Sequence, residues 1–239
     1  RFKRATKEQK ENAVNFANLL RMVAKINNKL RIRFSTSNPQ DMTEDVIDAM
    51  SENKNICNYI HLPVQSGSTR ILKLMNRGYS REWYIERIDS IKKIIPDCGI
   101  SMDIITGFCS ETEEDHKLTL SLMDYVKYDF GYMFKYSKRP NTLAQRKYED
   151  DVDEKVKSRR LTEIINLQQK HSLHNNKKNI GKIKEVLVEG YSKKSNEQLF
   201  GRTTQNTVVV FPKENIKIGD FVKIKINSCT SATLIGKKF

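Results

Sequence analysis

The pattern of apolar and polar residues changes once along the chain, near residue 180. Before that point, short apolar runs typical of strands alternate with segments whose apolar residues recur at helical spacing. After it, the helical spacing stops, and short β-branched runs are separated by turns of Gly, Asn and Pro. The first part therefore predicts βα units with a parallel sheet, and the last part predicts a small antiparallel barrel of about five strands.

The predicted elements of the first part place four polar loops at one edge of the sheet. Strands are predicted over residues 30–37, 56–64, 99–108 and 129–137. Helices are predicted over residues 7–28, 41–52, 69–76, 81–95 and 110–126. The strands end in STSNP, LPVQSGS, ITGFCSET and KYSKRPNT. Since α/β proteins bind ligands at the carboxyl ends of parallel strands, we expect a binding site there.

A long charged segment separates the two parts. Residues 150–179 carry only a modest apolar stripe, at Val156, Leu161, Ile164, Ile165 and Leu167, and we interpret them as a helical connector. The predicted domains are thus residues 1–149, the connector over 150–179, and the barrel over 180–239.

The net charge of +14 bears on partners more than on fold. Residues 177–239 hold 13 Lys and Arg against 5 Asp and Glu, so about a quarter of the chain carries over half of the net charge. An anionic polymer is the natural partner for such a segment. The alternative is a solvated surface that only keeps the protein soluble.

Cysteine usage and hydropathy argue for a cytoplasmic protein. Cys57, Cys98, Cys109 and Cys229 lie far apart, and no two have the spacing of a metal site or a redox pair. We therefore expect reduced thiols and no metal site. The sequence shows no apolar run of about 18 residues and no signal-peptide core, so we expect neither a membrane partner nor secretion.

Two of the loops suggest ligand contacts. In ITGFCSET, a turn at Gly107 leads into a helix whose first turn should contain Glu111 and Thr112, and free backbone N–H groups there would suit a polar ligand. LPVQSGS places Gln65 and Ser66 at the end of a strand. The alternatives are a turn shaped only by packing, and a loop that caps its own helix through Ser66 or Ser68.

Together and in order, these motifs carry a family resemblance. HLPVQSGSTRILKLMNRGYS, SMDIITGFCSETEEDH and MFKYSKRPNT resemble the later half of the radical S-adenosylmethionine (SAM) domain of the methylthiotransferases. EVLVEGYSKKSNEQLFGRTTQNTVVVF resembles the TRAM domain of the same proteins. The match runs from about residue 30 to residue 235. It implies a partial (β/α) radical SAM barrel followed by a small, OB-like, all-β TRAM barrel.

The resemblance also implies an activity. Within the family the chain is most similar to the tRNA synthases that methylthiolate C2 of isopentenyladenosine next to the anticodon. Those proteins use SAM and two 4Fe–4S clusters, each on three cysteines, and one triplet is CxxxCxxC. Neither triplet is present, so we expect the ligands of both clusters outside this chain, which looks like a C-terminal fragment that is inactive alone. The alternative is a distant homologue that has lost its clusters.

The expected partners are the anticodon stem-loop of tRNA and an electron donor for the cluster, and a monomer is the default. Rival activities remain open. One relative modifies threonylcarbamoyl-adenosine in tRNA, and another modifies an aspartate of a ribosomal protein. A non-catalytic RNA-binding protein is a further alternative.

The resemblance assigns roles to named residues but no catalytic residue. The expected cofactor-binding residues are Ser35, Thr36, Gln65, Ser66, Asp103, Gly107 and Phe108. The expected tRNA-binding residues are Arg77, Arg139, Ser192, Lys193, Lys194, Arg202 and Thr203. In the tail, Gly190 and Gly201 should bend two tight turns, so that Arg202 and Thr203 lie across from Lys193 and Lys194 on one phosphate backbone. The alternative for Asp103 is a pairing that is only structural. The alternative for Arg77 and Arg139 is a solvated side chain without a ligand.

Two positions depart from the family pattern. GFCSET replaces the common GFPGET, which changes backbone stiffness at Cys109 and Ser110. Asn38 stands where a histidine is frequent, and an amide cannot titrate near neutral pH.

Overall fold

The computed structural model describes residue 6, residues 13–36 and residues 38–239. The helices in these parts are α1 (Phe16–Ile26), α2 (Glu44–Glu52), α3 (Thr69–Leu74), α4 (Arg81–Ile94), α5 (Glu113–Val126), α6 (Leu143–Lys147) and α7 (Glu154–Lys177). A 3₁₀ turn spans Pro39–Asp41. The predicted helix over 7–28 is confirmed from Phe16 on, and residues 7–12 lie outside the described residues.

A three-stranded parallel sheet forms the centre of the first part. Its strands, β1 (Tyr59–His61), β2 (Gly99–Thr106) and β3 (Phe130–Lys135), lie in that order. The predicted strand over 30–37 is wrong within the described residues, because only Ile32 makes a bridge, to Ile56. Its arginine neighbours instead form ion pairs with the C-terminal barrel. Residue 37 lies outside the described residues.

The sheet has a covered face and an open face. Along β2, Ile100, Met102 and Ile104 are buried in the core that the helices share. Because successive strand residues alternate between faces, Asp103 and Ile105 lie on the opposite side, and both line a cavity. The result is part of a (β/α) barrel, as predicted.

The charged helix α7 is packed against the sheet and is not a free spacer. Gln168 donates to the backbone oxygen of Tyr128, and Ser172 donates to that of Asp129. The helix also ion-pairs with the loop before α5 through Arg160. The short helix α6 was not predicted. The domain boundaries at 149 and 179 stay predictions.

The last part is a closed five-stranded barrel, as predicted. Its strands are β4 (Ile183–Ser192), β5 (Ser195–Arg202), β6 (Val208–Pro212), β7 (Phe221–Cys229) and β8 (Leu234–Lys238), in the order β4-β5-β6-β8-β7. Its interior holds Val186, Leu199, Val209, Phe211 and Ile224, each at most 1% exposed. Within the described part of the chain, no helix combines the length and the apolar character needed to span a membrane.

Candidate functional site

A cavity of about 600 Å³ opens at the carboxyl edge of the sheet, where the sequence predicts a ligand site. It lies among the loops after β1, β2 and β3 and includes α6. Five of the predicted site residues line it: Gln65, Arg77, Asp103, Phe108 and Arg139. Residues predicted for the cofactor and for tRNA thus share one cavity.

Gln65 occupies an unusual backbone position at the mouth of the cavity. Its φ is 70°, in the left-handed region that most side chains avoid. Its N–H donates to the Asp103 oxygen at 2.8 Å, and its own oxygen accepts from the Ile105 N–H at 2.9 Å. Because the two bonds tie the loop to β2, the side chain is directed into the cavity from a fixed backbone.

Asp103 has a histidine as its partner. Its Oδ2 lies 3.4 Å from Nε2 of His61, and 28% of its side chain is exposed. The other ring nitrogen of His61 lies 2.8 Å from Oγ of Ser101, which also contacts the Tyr59 hydroxyl at 2.6 Å. The open face of the sheet therefore carries a hydrogen-bonded group of Tyr59, Ser101 and His61, and the His61 ring lies beside the Asp103 carboxylate at the cavity.

An aromatic wall bounds the cavity opposite these polar groups. The rings of Phe108 and Tyr136 meet edge to face at 4.9 Å, and Tyr148 lies 6.2 Å from Phe108. The buried Tyr136 hydroxyl has no hydrogen-bond partner among the residues that the structure describes. Burial raises the pKa of this phenol to about 12, so it remains a donor at neutral pH.

Three cations surround the cavity, and two are available to a ligand. The structure shows no hydrogen bond or ion pair from the guanidinium groups of Arg77 and Arg139 to any described residue. Lys135, by contrast, pairs with Glu154 at 2.8 Å. The two arginines are therefore placed to contact a carboxylate or a phosphate.

Ser66 and Gly107 lie in the same loops but not in the cavity wall. Ser66 is fully buried and accepts from the Ser68 N–H at 3.2 Å. The Gly107 N–H donates to Glu111, and a Cβ at Gly107 would collide with the Lys157 side chain. The Gly107 N–H is thus bonded within the loop, and the close approach that the glycine permits is made by the Lys157 side chain.

The helix after this loop also begins later than predicted. Thr112 is the N-cap of α5 and forms a capping box with Asp115, so Glu111 precedes the first turn. The alternative role for Ser68 is confirmed, because its side chain caps α3 by accepting from the Ile71 N–H.

Ser35 and Thr36 are not brought to the main cavity. They line a separate cavity of about 520 Å³ together with residues of α1 and of the 3₁₀ turn. The Thr36 hydroxyl donates to the backbone oxygen of His61, so it links this segment to the end of β1. Neighbouring Asn38 accepts from the Gln40 N–H as the cap of that turn.

The predicted basic site of the C-terminal barrel is divided between the two ends of β5. Ser192, Lys193 and Lys194 form the exposed tip between β4 and β5, where Ser192 pairs with Ser195. Arg202 lies at the opposite end of the eight-residue strand. At about 3.4 Å per residue the two groups are over 20 Å apart. The expectation that they lie across from each other is wrong, because the residues pair along a hairpin.

At that far end, Arg202 and Thr203 have structural partners. Arg202 contacts Glu189 at 3.2 Å, and Thr203 is 2% exposed and stabilises the turn to Thr207. Gly190 and Gly201 also lie within strands, not in turns. Gly201 is needed for close strand packing, since a Cβ there would overlap the Leu187 oxygen.

Sequence reasoning missed a buried ionic cluster at the loop between β2 and α5. Glu111 bonds to Arg160, and Lys157 bonds to Asp150 at 2.6 Å and to Glu154 at 3.0 Å. Burial raises the pKa of Glu111, although Arg160 opposes this shift. The available signal was the spacing of Lys157, Arg160, Ile164, Gln168 and His171, which follows one helix face.

No group of residues that could hold a metal ion occurs in the described parts of the chain. The four cysteines have no disulfide partner, and Cys57 and Cys109 are buried. The cysteines present therefore do not fit the ligand set of an iron–sulfur cluster.

Comparisons with known proteins agree with this architecture. Residues 11–123 match the radical SAM superfamily, and residues 177–239 match the TRAM domain. The chain is 66% identical over 236 residues to a tRNA-2-methylthio-N(6)-dimethylallyladenosine synthase of Christiangramia forsetii, covering 99% of this chain and 49% of that protein.

Proteins of the same name from other bacteria are also similar. The one from Flavobacterium johnsoniae is 59% identical over 99% of this chain and 49% of its own length. The one from Bacteroides thetaiotaomicron is 55% identical over 100% of this chain and 51% of its own length. The chain thus spans about half the length of the curated relatives it matches. It thus carries a match to a radical SAM domain followed by a match to a TRAM domain.

Proposed function

We propose that this chain is part of a tRNA methylthiotransferase that acts on C2 of isopentenyladenosine (dimethylallyladenosine) next to the anticodon. The observation that carries the proposal is the cavity at the carboxyl edge of the sheet, where Gln65, Asp103, Arg77 and Arg139 converge. The similarity to relatives named for this reaction supports it.

The residues around the cavity fit SAM. An adenine suits an aromatic wall such as Phe108 and Tyr136. The carboxylate of Asp103 suits the positive charge of a sulfonium or ammonium group. Arg77 or Arg139 suits the carboxylate of the amino acid. A cavity of about 600 Å³ is within the size range of small-molecule sites.

When bound together with a reduced 4Fe–4S cluster, SAM supplies the radical and methyl-transfer chemistry of the reaction. The residues described above bind and orient it, and the aromatic wall shields it from water. Since the cysteines present do not fit a cluster, we propose that two clusters are held by other cysteines. An external electron donor would reduce them.

The C-terminal barrel would bind the tRNA. Lys193 and Lys194 are exposed at the β4–β5 tip, and their side chains have no bonded partner among the described residues. Exposed, unpaired lysines suit phosphate contacts. We propose that the anticodon stem-loop binds there, so that one adenosine reaches the open face of the sheet. We further propose that the protein acts in the cytoplasm as a monomer.

Isotope tracing of methylthio groups tests the proposal. The gene that encodes this chain would be deleted, and tRNA nucleosides and ribosomal proteins would be analysed from the deletion strain and its parent. We expect loss of 2-methylthio-isopentenyladenosine only. If tRNA is unchanged while a ribosomal protein loses its methylthio group, the chain acts on that protein. If the methylthio group of threonylcarbamoyl-adenosine is lost instead, the chain acts on that nucleoside.

A further inference from the structure

A second cavity, of about 610 Å³, lies at the junction of the two parts of the protein. It is at the amino end of β2, whereas the SAM cavity is at the carboxyl end. Here Gln205 of the C-terminal barrel bonds to Asp97 at 2.7 Å, and a Cβ at Gly99 would lie only 2.7 Å from the Gln205 oxygen. The two parts are therefore in close contact, and the cavity has walls from both.

Five lysines line this cavity. Lys92, Lys127 and Lys178 come from the helical layer, and Lys182 and Lys184 come from the C-terminal barrel. Lys92 donates to the Val126 oxygen, and Lys178 donates to the Asn175 side chain. No ion pair to a described residue is found for any of the five.

Three carboxylates line the cavity and offset the charge of the five lysines only in part. Asp97 is bonded by Asn58 and Gln205. Asp124 is 2.9 Å from the His171 ring. Asp129 is bonded by the Ile100 N–H and by Asn175. Each of these carboxylates is bonded by an amide, a backbone N–H or an imidazole. None of them lies within ion-pair distance of one of the five lysines.

The positive charge of these lysines lowers the pKa of neighbouring basic groups. The pKa of His174 on the same helix is lowered, first by Lys178 and then by desolvation and by Lys127. The pKa of Lys184 is lowered by burial, with a contribution from Lys182. Five lysines against three aspartates leave the cavity with an excess of positive charge, and an anion between the lysines would reduce their repulsion.

We propose that the junction cavity binds phosphate groups of an RNA backbone, with Lys127 and Lys178 on one wall and Lys182 and Lys184 on the other. Lysine ammonium groups bind phosphates as point charges, without base recognition. The cavity lies near the Arg202 end of β5, so it is separated from Lys193 and Lys194 by the length of that strand. The RNA would therefore contact the protein at two positions.

The occupant rests on the proposed function, which supplies RNA as the substrate class. Two variants test the site, one from each wall. Lys127 has a φ of 55°, so it is replaced by Asn, which tolerates that backbone, and Lys182 is replaced by Ala. The charge-matched control is Lys54→Ala with Lys170→Ala, since both residues are exposed and lie outside the cavity.

The measurement is binding of a fluorescent RNA stem-loop, followed by anisotropy over a range of salt concentrations. Each lost phosphate contact should reduce the slope of log K against log salt by about 0.7 to 0.9. We expect each single variant to flatten the slope, the double variant to flatten it further, and the control to leave it unchanged. Thermal melts show whether the variants are folded.

Three results would overturn the proposal. The first is an unchanged slope in the double variant, and the second is a flatter slope in Lys182→Ala with an unchanged slope in Lys127→Asn. The third is an equal loss of binding to a polyglutamate peptide, which would indicate an acidic protein partner. If deletion of the gene removes a modification at another position of tRNA, but the lysine variants still flatten the salt slope, the junction site stands and the proposed reaction fails. If the slopes are unchanged but methylthiolation is lost on deletion, only the junction site fails.

Discussion

Arg160 of α7 donates to the carboxylate of Glu111 at 2.9 Å, and the side chains of the two residues are only 5% and 2% exposed. Glu111 in turn accepts from the Gly107 N–H at 2.8 Å. The ion pair therefore connects the charged helix to the loop beside the cavity at the carboxyl edge of the sheet. Arg160 and Glu111 are 49 residues apart in the chain. Helix α7, which the sequence suggested was only a connector, therefore holds the loop in place.

Removing one member of this pair should destabilise the protein strongly. In Arg160→Leu, Glu111 would stay buried without its charged partner, and such a loss costs about 3–5 kcal/mol of unfolding free energy. Urea denaturation measures it. Arg159→Leu is the matched control, because Arg159 is exposed and solvent screens its ion pairs, so its loss should be much smaller. Equal losses in the two variants would show that the buried pair has no special role.

Asp115 should make stability depend on acid pH. Burial by itself would raise its pKa, but hydrogen bonds from Arg70, Ser68 and Thr112 outweigh burial and hold the pKa well below its usual range. A carboxyl with a lowered folded-state pKa stabilises the protein above its unfolded pKa, about 3.9. That stability is lost as the pH falls from there toward the folded-state value.

The acid effect can be assigned with one substitution. In Asp115→Asn, the unfolding free energy should be lower at neutral pH and should fall less steeply below about pH 4 than in the wild type. Glu114→Gln, an exposed position in the same turn, is the control and should retain the wild-type slope. An Asp115→Asn protein with the wild-type slope would show that other carboxyls cause the acid sensitivity.

The two glycines of the β4–β5 hairpin should differ sharply. A Cβ at Gly201 would overlap the backbone oxygen of Leu187, which cannot move without breaking the strand pairing. A Cβ at Gly190 would meet the Phe200 ring at 3.0 Å, and a side chain can shift. We expect Gly201→Ala to cost about 3 kcal/mol or more and Gly190→Ala about 1 kcal/mol, by thermal or urea unfolding. Equal costs would contradict this account of the barrel.

The β4–β5 tip should contribute to RNA binding through charge. Replacing Lys193 and Lys194 by Ala should weaken binding of an anticodon stem-loop and reduce the salt slope by about 1 to 2, for two phosphate contacts. Anisotropy titrations at several salt concentrations measure both quantities. Lys54→Ala with Lys170→Ala again removes two exposed charges and should not change the slope. An unchanged slope in the tip variant would remove these lysines from the interface.

Local patterns predicted most elements and the polar edge of the sheet. The strand end LPVQSGS, the helix over 81–95 and the barrel were predictable because each depends on neighbouring residues. Gln65, Asp103 and Phe108 could therefore be proposed for one site before their distances were known. The sequence alone left the direction of Asp103 open, and the structure places it with Ile105 on the cavity side of β2.

Contacts between distant segments could not be predicted. The spacing of α7 showed an apolar stripe, whereas its buried face contains Lys157 and Arg160, because carboxylates elsewhere in the chain neutralise them. Arg202 was expected beside Lys193 because it is near in sequence, but the antiparallel register puts it at the other end of β5. Such errors arise where tertiary pairing decides a residue's neighbours.

Nucleoside analysis of a complemented deletion strain tests most directly whether the cavity around Asp103 serves tRNA methylthiolation. The encoding gene would be returned as wild type, as Asp103→Asn, or as the control Asp48→Asn, whose side chain is exposed on α2. We predict that wild type and control restore 2-methylthio-isopentenyladenosine in tRNA, while Asp103→Asn, at equal protein level, restores at most about a tenth, as expected for a lost charged contact. Full restoration by Asp103→Asn, or a deletion that leaves this nucleoside unchanged, would contradict the account.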